Sequence, residues 1–212
     1  MASVSEDAAY RDAAAPSRAW TWRGPRYIAE VFDGPDDALA ALESVQRGLK
    51  CSGFQSLNWL TVLYEELAPS KRAMPRVVIV TERNSGEVAI VLPLIVTKKR
   101  TLRVARMADL GVSDYGGPIL GLAPLKKRRS IRRVWRAIRH ALKDVDLIKL
   151  ERMPAEIGGL PNPLVTRTGA TPARHNGNVL TIETTVEEFL RSRGKKYRKE
   201  VERCARLWEK EG

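Results

Sequence analysis

The chain has 212 residues, 43% of them hydrophobic and 29% charged, which is enough apolar material for a buried core. A net charge of +12 points to an anionic partner. No run approaches the roughly 18 apolar residues of a membrane span, Met1–Pro16 lacks the apolar segment of a signal peptide, and a cytoplasmic location is the expectation.

Residues 1–25 read as a disordered leader that becomes ordered around Trp20 and Trp22. Tyr27 to Phe32 alternates as a strand, and Asp33-Gly34-Pro35 turns the chain. A helix is predicted over 36–49, with Leu39, Leu42 and Val45 at helical spacing. A second helix over 56–67 takes Ser56 as its N-cap and is stopped by Pro69.

The β-branched run Arg76–Glu82, the turn Asn84-Ser85-Gly86, the run Glu87–Thr97 and the run Thr101–Met107 predict three antiparallel strands. The near-continuous apolar stretch Val88–Val96 predicts a strand covered on both faces. A glycine-rich connection over 109–121 holds Ser113-Asp114-Tyr115-Gly116-Gly117-Pro118. A third helix over 125–143 buries Ile131, Val134, Ile138 and Leu142, and Asp146–Arg152 reads as a strand.

The Pro- and Gly-rich stretch Pro154–Pro172 reads as loop, and Asn178–Thr184 as a strand. Thr185 with Glu188 predicts a capping box, and a last helix covers 195–210. Helices interspersed with a largely antiparallel sheet make this an α/β or α+β domain, a mixed sheet flanked by helices.

Chemistry-bearing residues are sparse. Cys51 and Cys204 are both read as structural thiols, and no disulfide framework is expected. His140 and His175 stand far from any cysteine or acidic cluster, so no metal site is expected. Neither histidine suggests a nucleophilic triad, and Glu151 and Glu156 do not make a paired-carboxylate site. Catalytic residues therefore stay unassigned. The positive charge is concentrated: Lys126–Lys143 holds nine basic residues and no acid, and Arg191–Lys210 holds nine more.

Three segments, in this order, carry a likeness: Phe54-Gln55-Ser56-Leu57-Asn58-Trp59; Gly86–Leu94 followed by a basic turn and Ser113-Asp114-Tyr115; and Lys195-Lys196-Tyr197-Arg198-Lys199-Glu200-Val201-Glu202-Arg203. Together they resemble the first lobe of CelD-like and FemAB-like acyltransferases of the GNAT kind. The resemblance implies a GNAT-like lobe over 26–190, with 191–212 as a basic helix opening a second lobe that the sequence does not contain. It implies acyl (acetyl or aminoacyl) transfer to an amine, a link to cellulose or exopolysaccharide production, and acetyl-CoA or another acyl-CoA as donor. Such families usually carry the donor cleft in the second lobe, so this truncated chain is expected to lack it and to be inactive alone.

Consistent with that expectation, the glycine turns Arg83–Val88 and Arg174–Val179 only partly match a GNAT donor loop, and neither precedes a helix. Val62, Leu63 and Tyr64 stand where FemAB-like proteins often carry a lysine, which favours the CelD-like side.

Asp114 and Tyr115, with Lys195, Lys196 and Arg198, are the candidate substrate-binding residues for an anionic or polysaccharide-related ligand. The alternative for Asp114 is a turn residue satisfying backbone donors. Arg128, Arg129, Arg132, Arg136, Arg139 and Lys143 form a candidate anion-binding face, or simply a solvated one. On the last helix Tyr197, Val201, Cys204 and Trp208 form an apolar seam for a second lobe or self-association, flanked by Arg198–Glu202 and Glu202–Arg206 pairs. The competing functional reading is a non-enzymatic basic module that binds nucleic acid, an anionic membrane or polysaccharide.

Overall fold

In a computed structural model of the chain, the apolar run that begins at Val88 lies at the centre of a seven-stranded sheet. The structure describes residues 17–45, 47–123, 125–165, 170–172 and 184–211. Two compact units are present, 1–173 and 174–212.

The first unit is mixed α and β. Its sheet is built from β1 (Trp20–Arg23), β2 (Tyr27–Asp33), β3 (Met74–Glu82), β4 (Val88–Lys99), β5 (Leu102–Met107), β6 (Ile119–Leu120) and β7 (Leu147–Lys149). Spatial order is β1-β2-β3-β4-β5-β7, antiparallel from β1 to β5, with β6 pairing the start of β4. β5 and β7 form the one parallel pair among the described residues.

β4 is buried without a break from Ala89 to Val96. Successive side chains point to opposite faces, so one strand feeds two cores. Ala89, Ile90, Leu92, Leu94 and Val96 join the cluster under α4 (Arg128–Ala141). Val91 and Ile95 join the cluster under α1 (Pro35–Val45) and the helical segment that follows it. Each fully buried Leu, Ile or Val contributes about 1.5–3 kcal/mol relative to exposure.

That segment comprises α2 (Leu57–Val62), a π-helical turn (Leu63–Leu67) and α3 (Ala68–Ser70). Ser56 caps it, its hydroxyl accepting from the Trp59 amide at 3.4 Å. Pro69 lies inside the last turn rather than stopping the helix. The wide turn, closed by the Ala68 amide donating to the Leu63 carbonyl, opens the backbone ladder where proline would otherwise clash. The same turn places Tyr64 wholly inside the core, its hydroxyl donating to the Leu94 carbonyl at 3.1 Å. Burial, only partly offset by that bond, pushes the Tyr64 phenol well above its ordinary value.

Several boundaries differ from expectation. α1 ends at Val45 and α4 spans Arg128–Ala141, both shorter than predicted, and β7 keeps only Leu147–Lys149, in the first half of the predicted strand. The stretch read as loop after Pro154 contains a hairpin, β8 (Glu156–Ile157) and β9 (Leu160–Pro161), turned by Gly158 and Gly159 at φ 56° and 76°. The predicted strand at Asn178 and the glycine turn at Arg174 lie outside the described residues, as do residues 1–16.

The second unit carries α5 (Val186–Ser192) and α6 (Lys195–Glu211). The Thr185–Glu188 capping box is present, both hydrogen bonds at 3.2 Å. On α6 the charge pairing departs from the expected i,i+4 pattern: Arg203 instead grips Glu200 at 2.6 Å, three residues away. Cys204 is exposed rather than packed as a structural thiol, because the stripe it shares is open: Tyr197 is 50% and Trp208 82% exposed.

One buried ion cluster ties the first unit together. The Arg76 side chain, 3% exposed, gives Nε and Nη2 to the two oxygens of Asp33 at 2.5 and 2.7 Å. Its Nη1 and Nη2 reach the carboxylate of Asp144, just beyond α4, at 2.8 and 3.0 Å. Burial works against the Arg76 charge, but the bonds from Asp33 and Asp144 outweigh it and raise its pKa. For Asp144, burial favours the neutral acid, yet Arg76 and then Arg103 hold its carboxyl below the ordinary carboxylate range.

A carboxyl whose pKa is lowered by folding contributes stability above its unfolded value, and that contribution is lost as pH falls through the folded one. Denaturant unfolding should therefore show the Arg76 cluster intact at neutral pH and failing in acid. At neutral pH, Asp33→Asn should cost about 1–3 kcal/mol, because it removes one of the two carboxylates that compensate a buried cation while Asp144 stays in place. Wild-type stability that stays flat into strong acid would contradict this account.

Candidate functional site

The first and second segments of the family likeness meet in space. Phe54 and Gln55 form a short 3-10 turn ahead of α2, and Trp59 stands one turn into it. The Trp59 indole Nε1 donates to the Ser113 hydroxyl at 3.1 Å, and the Gln55 amide Nε2 donates to the Tyr115 carbonyl at 3.2 Å. Gln55 is held in turn by the Ser52 hydroxyl, which donates to its Oε1 at 2.6 Å. Gln55 and Ser113 are 3% and 1% exposed, so these bonds are made away from water and fix the loop. The Phe54 ring stands edge-on to Trp59 at 5.3 Å and tilted against Tyr115 at 6.3 Å.

The loop then presses on the chain after β7. The Gly116 amide donates to the Arg152 carbonyl at 3.1 Å. A Cβ at Gly116 would stand 3.0 Å from the Glu151 carbonyl oxygen and 3.0 Å from the Met107 side chain, so a larger residue would have to push these neighbours back. The outcome is a braced loop with Tyr115 half-buried and Asp114 exposed. Asp114 makes no hydrogen bond or ion pair with any described residue, so its carboxylate is not consumed by the turn.

Beside this loop, at the carboxyl ends of β5 and β7, lies a crevice of ≈380 Å³. Its place is fixed by the crossover through α4, which makes β7 parallel to β5. In register across β4, β5 and β7 stand Ile95, Arg106 and Lys149, all on the face that α1 and α2 cover farther along the sheet. Lys71 and Arg152 complete its positive lining. Its two carboxylates are engaged, Asp109 with Arg152 at 2.6 Å and Glu151 with Lys149 at 2.7 Å.

Sequence reasoning placed none of these crevice residues. A signal was available: Leu102, Val104 and Arg106 share one face of β5, so a cation stands on an apolar stripe.

The remaining candidates divide between the units. On α4, Arg128, Arg129, Arg132, Arg136 and Arg139 are exposed, opposite the buried residues Val134, Ala137, Ile138 and Ala141. Lys143 belongs partly to the fold: its Nζ lies 4.6 Å over the Trp20 ring, while His140 stacks on Trp22 at 5.1 Å. Lys195, Lys196 and Arg198 are exposed in the first turn of α6, in the second unit. His175 lies outside the described residues. Among the described residues, no group of three or more His, Cys, Asp or Glu could hold a metal ion, and no helix is long and apolar enough to cross a membrane.

The bracing of the loop is directly testable. Trp59→Phe keeps an aromatic ring but leaves the Ser113 hydroxyl buried without its donor, which should cost about 1–3 kcal/mol. Amide hydrogen exchange across 113–117 should accelerate, with β4 unaffected. Unchanged exchange in that loop would show that the bond does not hold it.

The chain matches no protein-family model, no curated protein and no solved structure.

Proposed function

We propose that the first unit is a substrate-binding lobe of a two-lobed, CelD-like acyltransferase of the GNAT kind, acting in cellulose or exopolysaccharide production. The observation that carries this reading is the contact between its two separated motifs, Gln55 with Tyr115 and Trp59 with Ser113. Motifs that matter only as sequence would have no need to brace each other, whereas a binding loop on a rigid support does.

In this reading Asp114 and Tyr115 present a carboxylate and a phenol to the amine-bearing acceptor. Acetyl-CoA or another acyl-CoA is the donor, and the acceptor amine attacks its thioester carbonyl. The bond to sulfur breaks, free CoA leaves, and the amine proton passes to a base. Lys195, Lys196 and Arg198, in the second unit taken by itself, are candidate contacts for an anionic ligand. The Tyr197, Val201, Cys204 and Trp208 stripe is the surface for a second lobe.

Release of free CoA thiol in the presence of amino-sugar acceptors, measured on the two-lobed protein, tests the reading. Asp114→Asn should lower kcat/KM for the acceptor by about tenfold or more, a loss of at least ~1.4 kcal/mol of transition-state binding, with the KM for acetyl-CoA unchanged. No thiol release with any amine, or an effect confined to the donor KM, would sink it.

A second reading has one observation in its favour. The outward face of α4 is basic from Arg128 to Arg139 while its apolar face is committed to the core. Such a helix cannot lay an apolar side into a bilayer, but it can hold phosphates electrostatically. A basic module of this kind should bind duplex nucleic acid with an affinity that falls steeply with salt. Replacing Arg132 and Arg136 by Gln should flatten that salt dependence by roughly one to two counterions. Equal binding to anionic vesicles would point to generic charge attraction instead.

A further inference from the structure

We infer that the crevice at the carboxyl ends of β5 and β7 is a binding site for the phosphoryl group of a small molecule, with Arg106 as its central ligand. The inference does not rest on the acyltransferase reading.

Arg106 is the first reason. Its Nε is buried and has no hydrogen-bond partner. Native structures leave few buried donors unmatched, and an ordered water or a bound ion commonly completes such a donor. The side chain sits in the sheet, in register with Ile95 on one side and Lys149 on the other, so its guanidinium cannot be treated as a freely solvated surface group.

Charge is the second. Arg106 and Lys149 stand side by side on neighbouring strands, and like charges in that relation repel. Four cations line the crevice, Lys71, Arg106, Lys149 and Arg152, against the carboxylates of Asp109 and Glu151. The surplus of positive charge is two, and a phosphate monoester carries about −1.5 to −2 at neutral pH, where a single carboxylate carries one. The planar fork of arginine matches phosphate oxygens two at a time.

Geometry is the third. The crevice volume, ≈380 Å³, falls in the range of small-molecule sites. Its lining also includes apolar Ile95, Met107 and Leu110, which suit the uncharged part of a phosphorylated metabolite better than a bare ion. Two of the walls are held in left-handed backbone conformations by non-glycine residues, Leu110 at φ 45° and Arg152 at φ 53°. Such conformations are costly and gather at ligand sites.

Titration calorimetry of the 212-residue chain with inorganic pyrophosphate, and in parallel with malonate as a dicarboxylate, tests the proposal. Pyrophosphate should bind saturably and at least about tenfold more tightly than malonate. Arg106→Gln should weaken it about tenfold or more, and Arg106→Lys, which keeps the charge and removes the fork, should also weaken it. Arg18→Gln, beside β1 at the opposite edge of the sheet, should leave it within about twofold.

Amide chemical-shift changes on adding pyrophosphate should centre on Gly111, Lys149 and Arg152, a readout that does not depend on any variant folding. Malonate binding as tightly as pyrophosphate, shifts centred on α4, or no heat up to about 10 mM would overturn the inference. Pyrophosphate carries no thioester, so this result and the thiol-release assay succeed or fail separately.

Discussion

Arg76 is placed on an inner strand of the sheet, just before the run Val77-Val78-Ile79-Val80, and it stays charged there because two carboxylates far from each other in the sequence reach it. Asp33 ends β2 and Asp144 follows α4, so one guanidinium decides where β2, β3 and the far end of the crossover helix lie relative to one another. Apolar contacts between α4 and the sheet would tolerate sliding; a bidentate ion pair on each side does not. Arg103 adds its own contact to Asp144 at 3.0 Å, which brings β5 into the same cluster. The position of β7 follows, since the chain between Asp144 and Leu147 is only a few residues long.

From that constraint the site geometry descends. Once the crossover is anchored, β7 has to lie alongside β5 in parallel, and the ends of the two strands open a crevice at the part of that face which α1 and α2, farther along the sheet, do not reach. Leu102 and Leu147, on that same face, are 51% and 49% exposed for the same reason. The loop from Ala108 to Pro118 has to cross these strand ends. It is held against them by Gly116 and against the helical segment by Gln55 and Trp59. A braced loop and a charged crevice therefore share a wall at Glu151 and Arg152, although different parts of the sequence supply them.

Much of the scaffold was legible from residue order. The alternation of β2, the turn at Asn84-Ser85-Gly86 and the unbroken apolar run of β4 each identify a strand by local chemistry, and Ser56 and Thr185 announce helix starts. What stayed hidden depends on partners distant in sequence. Arg76 reads as the polar start of a strand until Asp33 and Asp144 are placed beside it. Arg106 reads as one more basic residue in a basic protein until Lys149 stands in register with it. Pro69 misleads because proline usually ends a helix, and the π-turn before it can be recognised only from backbone geometry. Asp114 was visible as a loop residue, but whether the turn consumed its carboxylate needed the hydrogen bonds.

The ordering of strands by length has a consequence for how the molecule behaves in crowded solution. β3 and β4, the strands with nine and twelve residues and the most apolar sequences, are both flanked by other strands. Among the described residues the outermost positions fall to β1 and β7, with four and three residues, so a stray extended chain finds only a brief ladder to join there. Short margins of this kind act as negative templates against fibril growth, and the net charge of +12 keeps like molecules apart before their margins meet.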